Sequence, residues 1–236
     1  MALFIGIDVG TSAVRTCAVD DYGRQVAESR SPLPSPERTT QGVQQDAAVW
    51  WQAMTAALEQ LFTRIDPAAV QRMLVDGTSA TLLLSKRSGE PLTPGLMYND
   101  SRARSAAGRI EKYAPAESAA RGPSSSLAKL LHLRDSLDSD NAIALHQADW
   151  LAGKLSGRFG VSDENNVLKL GYDLEKSCWP AWIDKLGIER DTLPAVLVPG
   201  ATIGTLQAPL AQRWGCSTRV EIAAGTTDST AGFIAA

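Results

Sequence analysis

The stretch Leu3-Phe4-Ile5-Gly6-Ile7-Asp8-Val9-Gly10-Thr11-Ser12 decides how the rest of the chain is read. A short apolar run from Leu3 to Ile7 that breaks into Asp, Gly, Thr and Ser predicts a buried strand entering a tight turn. Ala13 to Val19 alternates in part and ends at Asp20-Asp21-Tyr22-Gly23, a turn signature, after which Gln25 to Ser29 returns as a third strand. Three strands joined by tight turns make an antiparallel meander. The proline-studded stretch Ser31 to Pro36 is excluded from helix and from central strand, because proline lacks the amide donor and fixes φ. Asp46 then reads as the N-cap of a helix over Ala47 to Arg64, with Trp50, Met54, Ala57, Leu58 and Leu61 near helical spacing.

Farther along, Val70 to Val75 reads as a strand ending at Asp76-Gly77-Thr78-Ser79, and Thr81 to Ser85 as another before the turn Arg87-Ser88-Gly89-Glu90. From Ser101 to about Arg190 helix formers dominate, with Ser101–Tyr113, Ser126–Leu137 and His146–Leu155 as the best helices. Val220 to Ala224 is a last buried strand, closed by Gly225-Thr226-Thr227-Asp228, with a helix starting over Ser229 to Ala236. This order predicts an α/β domain in which the N-terminal meander joins a mixed sheet carrying a helical insertion. An architecture that stops about two helical turns after its last strand-end motif is expected to continue in a further domain.

Composition narrows the chemistry. Hydrophobic residues make up 44 % and charged residues 21 % of the 236, an ordinary globular balance. A net charge of −3 gives no electrostatic reason to bind nucleic acid or an anionic membrane. Cys17, Cys178 and Cys216 have no close spacing, which excludes a CxxC pair and argues against a disulfide framework. His132 and His146 form no metal-binding or triad pattern, and each reads as a helix-surface or half-buried residue. The N-terminus has neither the basic segment nor the long apolar core of a signal peptide, and no stretch approaches transmembrane length. The expectation is a cytoplasmic protein.

Four segments could carry chemistry. In Asp8–Ser12, Gly10 permits close approach, Thr11 and Ser12 offer hydroxyl and amide donors to phosphate oxygens, and Asp8 could hold a hydrated Mg2+. No GxxxxGK[ST] occurs, so this is not a P-loop. The same residues would also suit a plain hairpin turn. In Gly225–Asp228, the amides of Thr226 and Thr227 lie near a helix start where an anion can bind, and Asp228 could take a proton from an attacking hydroxyl or merely cap the helix. Asp76–Ser79 could hydrogen-bond a polyol, and Tyr98-Asn99-Asp100 could give an aromatic wall beside a carboxylate, or each could be a turn or cap. All four fall at predicted strand ends, where α/β proteins place ligands.

In order and spacing these landmarks, with Gln45-Asp46, Trp50-Trp51, Ser126-Leu127-Ala128-Lys129-Leu130, Ala148-Asp149-Trp150-Leu151 and Leu155-Ser156-Gly157, make the chain resemble the N-terminal domain of the FGGY carbohydrate kinases. The resemblance implies an RNase H-like fold of the actin-like ATPase superfamily over residues 1–236, with a second, nucleotide-binding domain outside this chain. It implies ATP and Mg2+ as cofactors, and Asp228 as catalytic base. Asp8 would place metal and sugar hydroxyls, and Gly10, Thr11 and Ser12 would approach the ATP phosphates. Thr78, Ser79, Tyr98 and Asp100, with Asp8 and Asp228, would form the sugar side. Gly77-Thr78-Ser79 replaces the Met-His-Gly of many xylulokinases, and Tyr98 replaces a tryptophan. Val75–Thr81 and Asn166–Tyr172 resemble the D-ribulose kinase branch, which implies phosphorylation of D-ribulose to D-ribulose 5-phosphate. D-xylulose or another pentulose or polyol is the alternative substrate, and a sugar-binding module without catalysis of its own is the alternative class. Trp50-Trp51 and Trp179–Trp182 read as packing residues.

Overall fold

The computed structural model describes residues 1–137 and 141–235. Three strands open the chain, β1 (Leu3–Val9), β2 (Ala13–Asp20) and β3 (Gln25–Pro32), followed by two short ones, β4 (Glu37–Arg38) and β5 (Val43–Gln45). Helix α1 (Ala47–Phe62) leads to β6 (Val70–Gly77), β7 (Leu82–Lys86) and β8 (Gly95–Leu96). Then come α2 (Arg104–Ile110), α3 (Ser126–Asp135), β9 (Ala142–His146), α4 (Gln147–Ser156), β10 (Val161–Asp163) and α5 (Glu164–Val167). The chain ends in β11 (Ala195–Leu197), β12 (Thr202–Thr205), α6 (Ala208–Trp214), β13 (Glu221–Thr227) and α7 (Asp228–Ala235). Ala236, where the sequence places the end of the last helix, lies outside the described residues.

The central sheet has the order β12-β13-β6-β1-β2-β3, with β1 antiparallel to β2 and parallel to β6, and β6 parallel to β13. The predicted meander and mixed sheet are therefore present. β3 runs on to Pro32, which its position at the sheet edge allows. A second sheet, β4-β5-β8-β7-β9, lies beside the first, and β10 pairs with β11. The expected helical block is thus only partly helical. Helices α2 and α3 are shorter than their sequence patterns, β9 lies inside the block, and residues after Gly157 run mainly in 3-10 turns and short strands.

Period-two burial explains β1: Leu3, Ile5, Ile7 and Val9 are buried, while Gly6 is exposed and Asp8 half-buried on the other face. The buried set meets Trp50, Met54, Leu58 and Leu61 of α1, whose start is capped by Asp46 accepting from the Ala48 amide at 2.8 Å. Burying side chains of this size stabilises the fold by about 1.5–3 kcal/mol each. Trp50 Nε1 donates to Gln45 Oε1 at 2.7 Å, and its ring meets Trp150 edge-on at 6.4 Å, so Trp50 packs as expected. A separate core joins Leu82, Leu84 and Leu96 of the second sheet to Leu127, Leu130 and Leu131 of α3. Among the described residues, no helix is long and apolar enough to cross a membrane.

His146 departs from expectation. It is fully buried, with Nδ1 2.9 Å from Asp149 Oδ2 and Nε2 2.9 Å from Ser126 Oγ. The Ser–His–Asp set is structural, since Ser126 is fully buried as well, and Asp149 also accepts from the His146 amide to start α4.

Candidate active site

Sheet register assembles the site. Asp8 on β1 is the parallel partner of Asp76 on β6, and Asp76 is the partner of Thr226 on β13. Across the first hairpin, Asp8 faces Arg15 on β2, and Arg15 Nη1 donates to Asp8 Oδ2 at 2.9 Å. Thr227 pairs with Gly77, so Asp228 and Thr78 leave their strands at the same level. β13 reaches this register through an irregularity between Ala223 and Thr226. Gly225 sits in it, so near β6 that a Cβ there would overlap the carbonyl oxygen of Val75.

A pocket of about 540 Å³ opens at these strand ends. One side carries Gly10, Thr11 and Ser12, and the other Thr78, Ser79 and Tyr98. Asp8 and Asp228 line it too, with two cations, Arg15 and Lys169. Asp228 Oδ1 accepts from the Ser229 amide at 2.7 Å as α7 begins, so it serves the helix start and lines the pocket at once. A larger hollow of about 760 Å³ lies over the open face of the sheet and shares Asp8 and Arg15. It lacks the strand-end turns and runs along β1–β3, with Asp76 of β6 and with Gln60 and Arg64 at the end of α1 also in its lining.

The structure brings together eight of the residues singled out in the sequence: Asp8, Gly10, Thr11, Ser12, Thr78, Ser79, Tyr98 and Asp228. Gly10 does not take a positive φ, and a Cβ there would make only ordinary contact with Ala13 O at 3.5 Å, so its backbone freedom is not what the turn uses. The Thr78 hydroxyl is turned inward, 2.5 Å from Thr81 Oγ1 and 3.0 Å from Gln147 Oε1, which leaves Ser79 as the open hydroxyl on that side. Three expectations are corrected. Asp100 is fully buried: its carboxylate accepts from the Val43 amide at 2.6 Å and pairs with Arg102 at 2.8 Å, so it braces the wall from behind. Thr226 and Thr227 are buried and outside the pocket lining. Thr226 Oγ1 accepts from Asn165 and Thr226 O from Asn166, while Thr227 Oγ1 lies 2.9 Å from Thr230 Oγ1 in the first turn of α7.

Sequence reading missed Arg15 and Lys169 as site residues, and it took Asp76 only as part of the Asp76–Ser79 polyol turn. Arg15 was within reach, since Asp8 and Arg15 stand symmetrically about the first hairpin turn. Lys169 arrives from a 3-10 turn, Leu168–Leu170, with no local pattern to mark it. Asp76 is buried, and its Oδ1 has no hydrogen-bond partner. Burial, then the charges of Asp8 and Asp228, then a hydrogen bond with Asp8 raise its pKa to about 7.

Folding therefore favours the protonated Asp76. Between about pH 4 and pH 7 the folded chain holds a proton that the unfolded chain has released, so this contribution is complete below the unfolded pKa and is lost as pH rises through 7. Asp76→Asn, a permanent neutral mimic, is expected to raise stability at pH 8 by about 2–4 kcal/mol and to flatten its decline above pH 4. Urea unfolding across that range checks this, and an unchanged slope would refute it.

Among the described residues, no three His, Cys, Asp or Glu side chains stand together as a metal cage. The carboxylates open to the pocket at this end of the sheet are those of Asp8 and Asp228, so the donors it offers a metal are oxygens. Such a set suits Mg2+, which takes one or two carboxylates and keeps its waters.

The chain's relatives agree with this architecture. A xylulose kinase of Escherichia coli (strain K12) is 25 % identical over 98 % of this chain and 49 % of its own length. The ligand-bound xylulose kinase of Lactobacillus acidophilus superposes with a TM-score of 0.87 at 20 % identity, over 99 % of this chain and 50 % of that one. The glycerol kinase of Plasmodium falciparum, solved with ADP, gives 0.82 at 14 % identity over 99 % and 50 %, so the fold alone does not choose a substrate. The chain spans about half the length of the curated relatives it matches. The model of the FGGY family of carbohydrate kinases, N-terminal domain, matches residues 3–235, and the chain belongs to that family.

Proposed function

We propose that the protein carrying this chain transfers the γ-phosphoryl group of ATP to a hydroxyl of a ketopentose. The observation that carries this reading is that Asp8 and Asp228 line one pocket together with the hydroxyl-rich turn Gly10–Ser12 and with Ser79 and Tyr98. Asp228 takes the proton of the attacking hydroxyl; that oxygen bonds the γ-phosphorus as the bond to the ADP oxygen breaks. Arg15 and Lys169 place two positive charges where the transferred group carries its negative charge. Arg15 also orients Asp8. Asp8 would hold a hydrated Mg2+, which supplies further neutralisation of the phosphates.

Within the ketopentoses our reading is D-ribulose, supported by the Ser79 hydroxyl in the pocket lining, which contains no histidine among the described residues. The names of relatives such as the Escherichia coli xylulose kinase favour D-xylulose as the second reading. Coupled ADP-release assays on the full-length protein with a ketopentose panel decide between them. D-Ribulose is expected to exceed D-xylulose in kcat/KM by about tenfold or more. The reverse order selects D-xylulose, and turnover of glycerol or gluconate alone removes the ketopentose class.

A further inference from the structure

Two turns make the sugar-side wall of the pocket. In the first, the Thr81 amide donates to Thr78 O at 3.2 Å, and Ser79 and Ala80 are the central residues. In the second, the Asp100 amide donates to Met97 O at 2.8 Å, and Tyr98 and Asn99 are central. The first central residue of each turn, Ser79 and Tyr98, lines the pocket. Behind them, on α3, the fully buried Lys129 donates from Nζ to Ala80 O at 2.7 Å and to Met97 O at 2.7 Å. Ala80 has φ +66°, a left-handed conformation that costs an L-residue about 1–2 kcal/mol and persists only when neighbours hold it.

Resting on the kinase reading above, we propose that Lys129 is a positioning residue for sugar recognition: one ammonium fixes the distance between the Ser79 turn and the Tyr98 turn. A buried cation bridging two backbone carbonyls is costly unless both bonds form, which makes the arrangement two-sided. Burial pulls the Lys129 pKa down to about 7, opposed by the charge of Asp100. The clamp does not depend on that titration, since the neutral amine keeps two N–H donors. Asp100, whose carboxylate ties the second turn to Val43 and Arg102, completes the support.

Lys129→Met, similar in length but without donors, tests this in the full-length protein. Amide exchange at residues 79–81 and 97–100 is expected to accelerate about tenfold relative to the interior of β6. The sugar KM is expected to rise about tenfold or more, while the ATP KM stays within about twofold and kcat within about threefold. Should K129M not fold, K129R, whose forked donor spreads the two carbonyls apart, is read the same way and is expected to move the sugar KM in the same direction. Unchanged exchange at both turns overturns the clamp. Faster exchange with an unchanged sugar KM, or equal rises in both KM values, overturns the positioning role. A wild-type protein that phosphorylates no ketopentose removes the functional reading instead, and the clamp is then judged by exchange alone.

Discussion

Asp228→Asn is expected to lower kcat for sugar phosphorylation by about 10²–10⁴-fold, while the sugar Kd stays within about threefold. Asparagine keeps an oxygen where Asp228 Oδ1 accepts from the Ser229 amide, so the start of α7 is preserved and the loss reports proton transfer. Alanine would remove that acceptor and mix a helix-end defect into the result. The position carries this weight because Asp228 follows directly on Thr227, whose pairing with Gly77 fixes where β13 stops. The carboxylate therefore emerges opposite the Thr78–Ser79 turn and not farther along α7. Single-turnover phosphorylation measured beside sugar calorimetry separates the two quantities. Turnover near that of wild type would assign Asp228 to capping alone, and a parallel collapse of sugar binding would make it a binding group.

What could be read without the structure was whatever is encoded locally. Leu3–Ser12 shows its strand, turn and polar cargo within ten residues, and the helix from Ala47 is announced by its cap. Asp228 was visible because a strand, a turn and a helix meet there in sequence. The failures share one cause, which is dependence on partners distant along the chain. Asp100 looked like an open carboxylate because nothing nearby shows that the Val43 amide, 57 residues earlier, donates to it. The strand Ala142–His146 is buried at every position, so it has no alternation to distinguish it from the helix that follows. Thr226 and Thr227 were assigned to an anion by their place before a helix, whereas Asn165 and Asn166 from α5 claim the oxygens of Thr226. Lys129 was only part of a family landmark until its Nζ was seen between two carbonyls.

Gly225→Ala is expected to be the most damaging single-methyl addition at the site. The methyl would overlap the Val75 carbonyl oxygen, and the next atoms it meets are also backbone, so no side chain can rotate away. Relief requires β13 to move off β6, where Ala223 pairs with Leu74 just before the irregularity and Thr226 with Asp76 just after it. Overpacking of this kind costs about 3 kcal/mol or more, and the displacement carries Asp228 with it. A shift of about 1 Å at a catalytic group can cost about 10²-fold in rate, so the folded fraction of G225A is expected to be impaired as well. Gly6→Ala on neighbouring β1 is the control, because a Cβ there meets nothing within 4 Å. Its stability is expected to stay within about 0.5 kcal/mol of wild type, with kcat unchanged. Urea unfolding and activity per folded molecule compare the pair. If G225A matches Gly6→Ala in both, the close approach of β13 to β6 is not what sets Asp228 in place, and the register argument for the site fails with it.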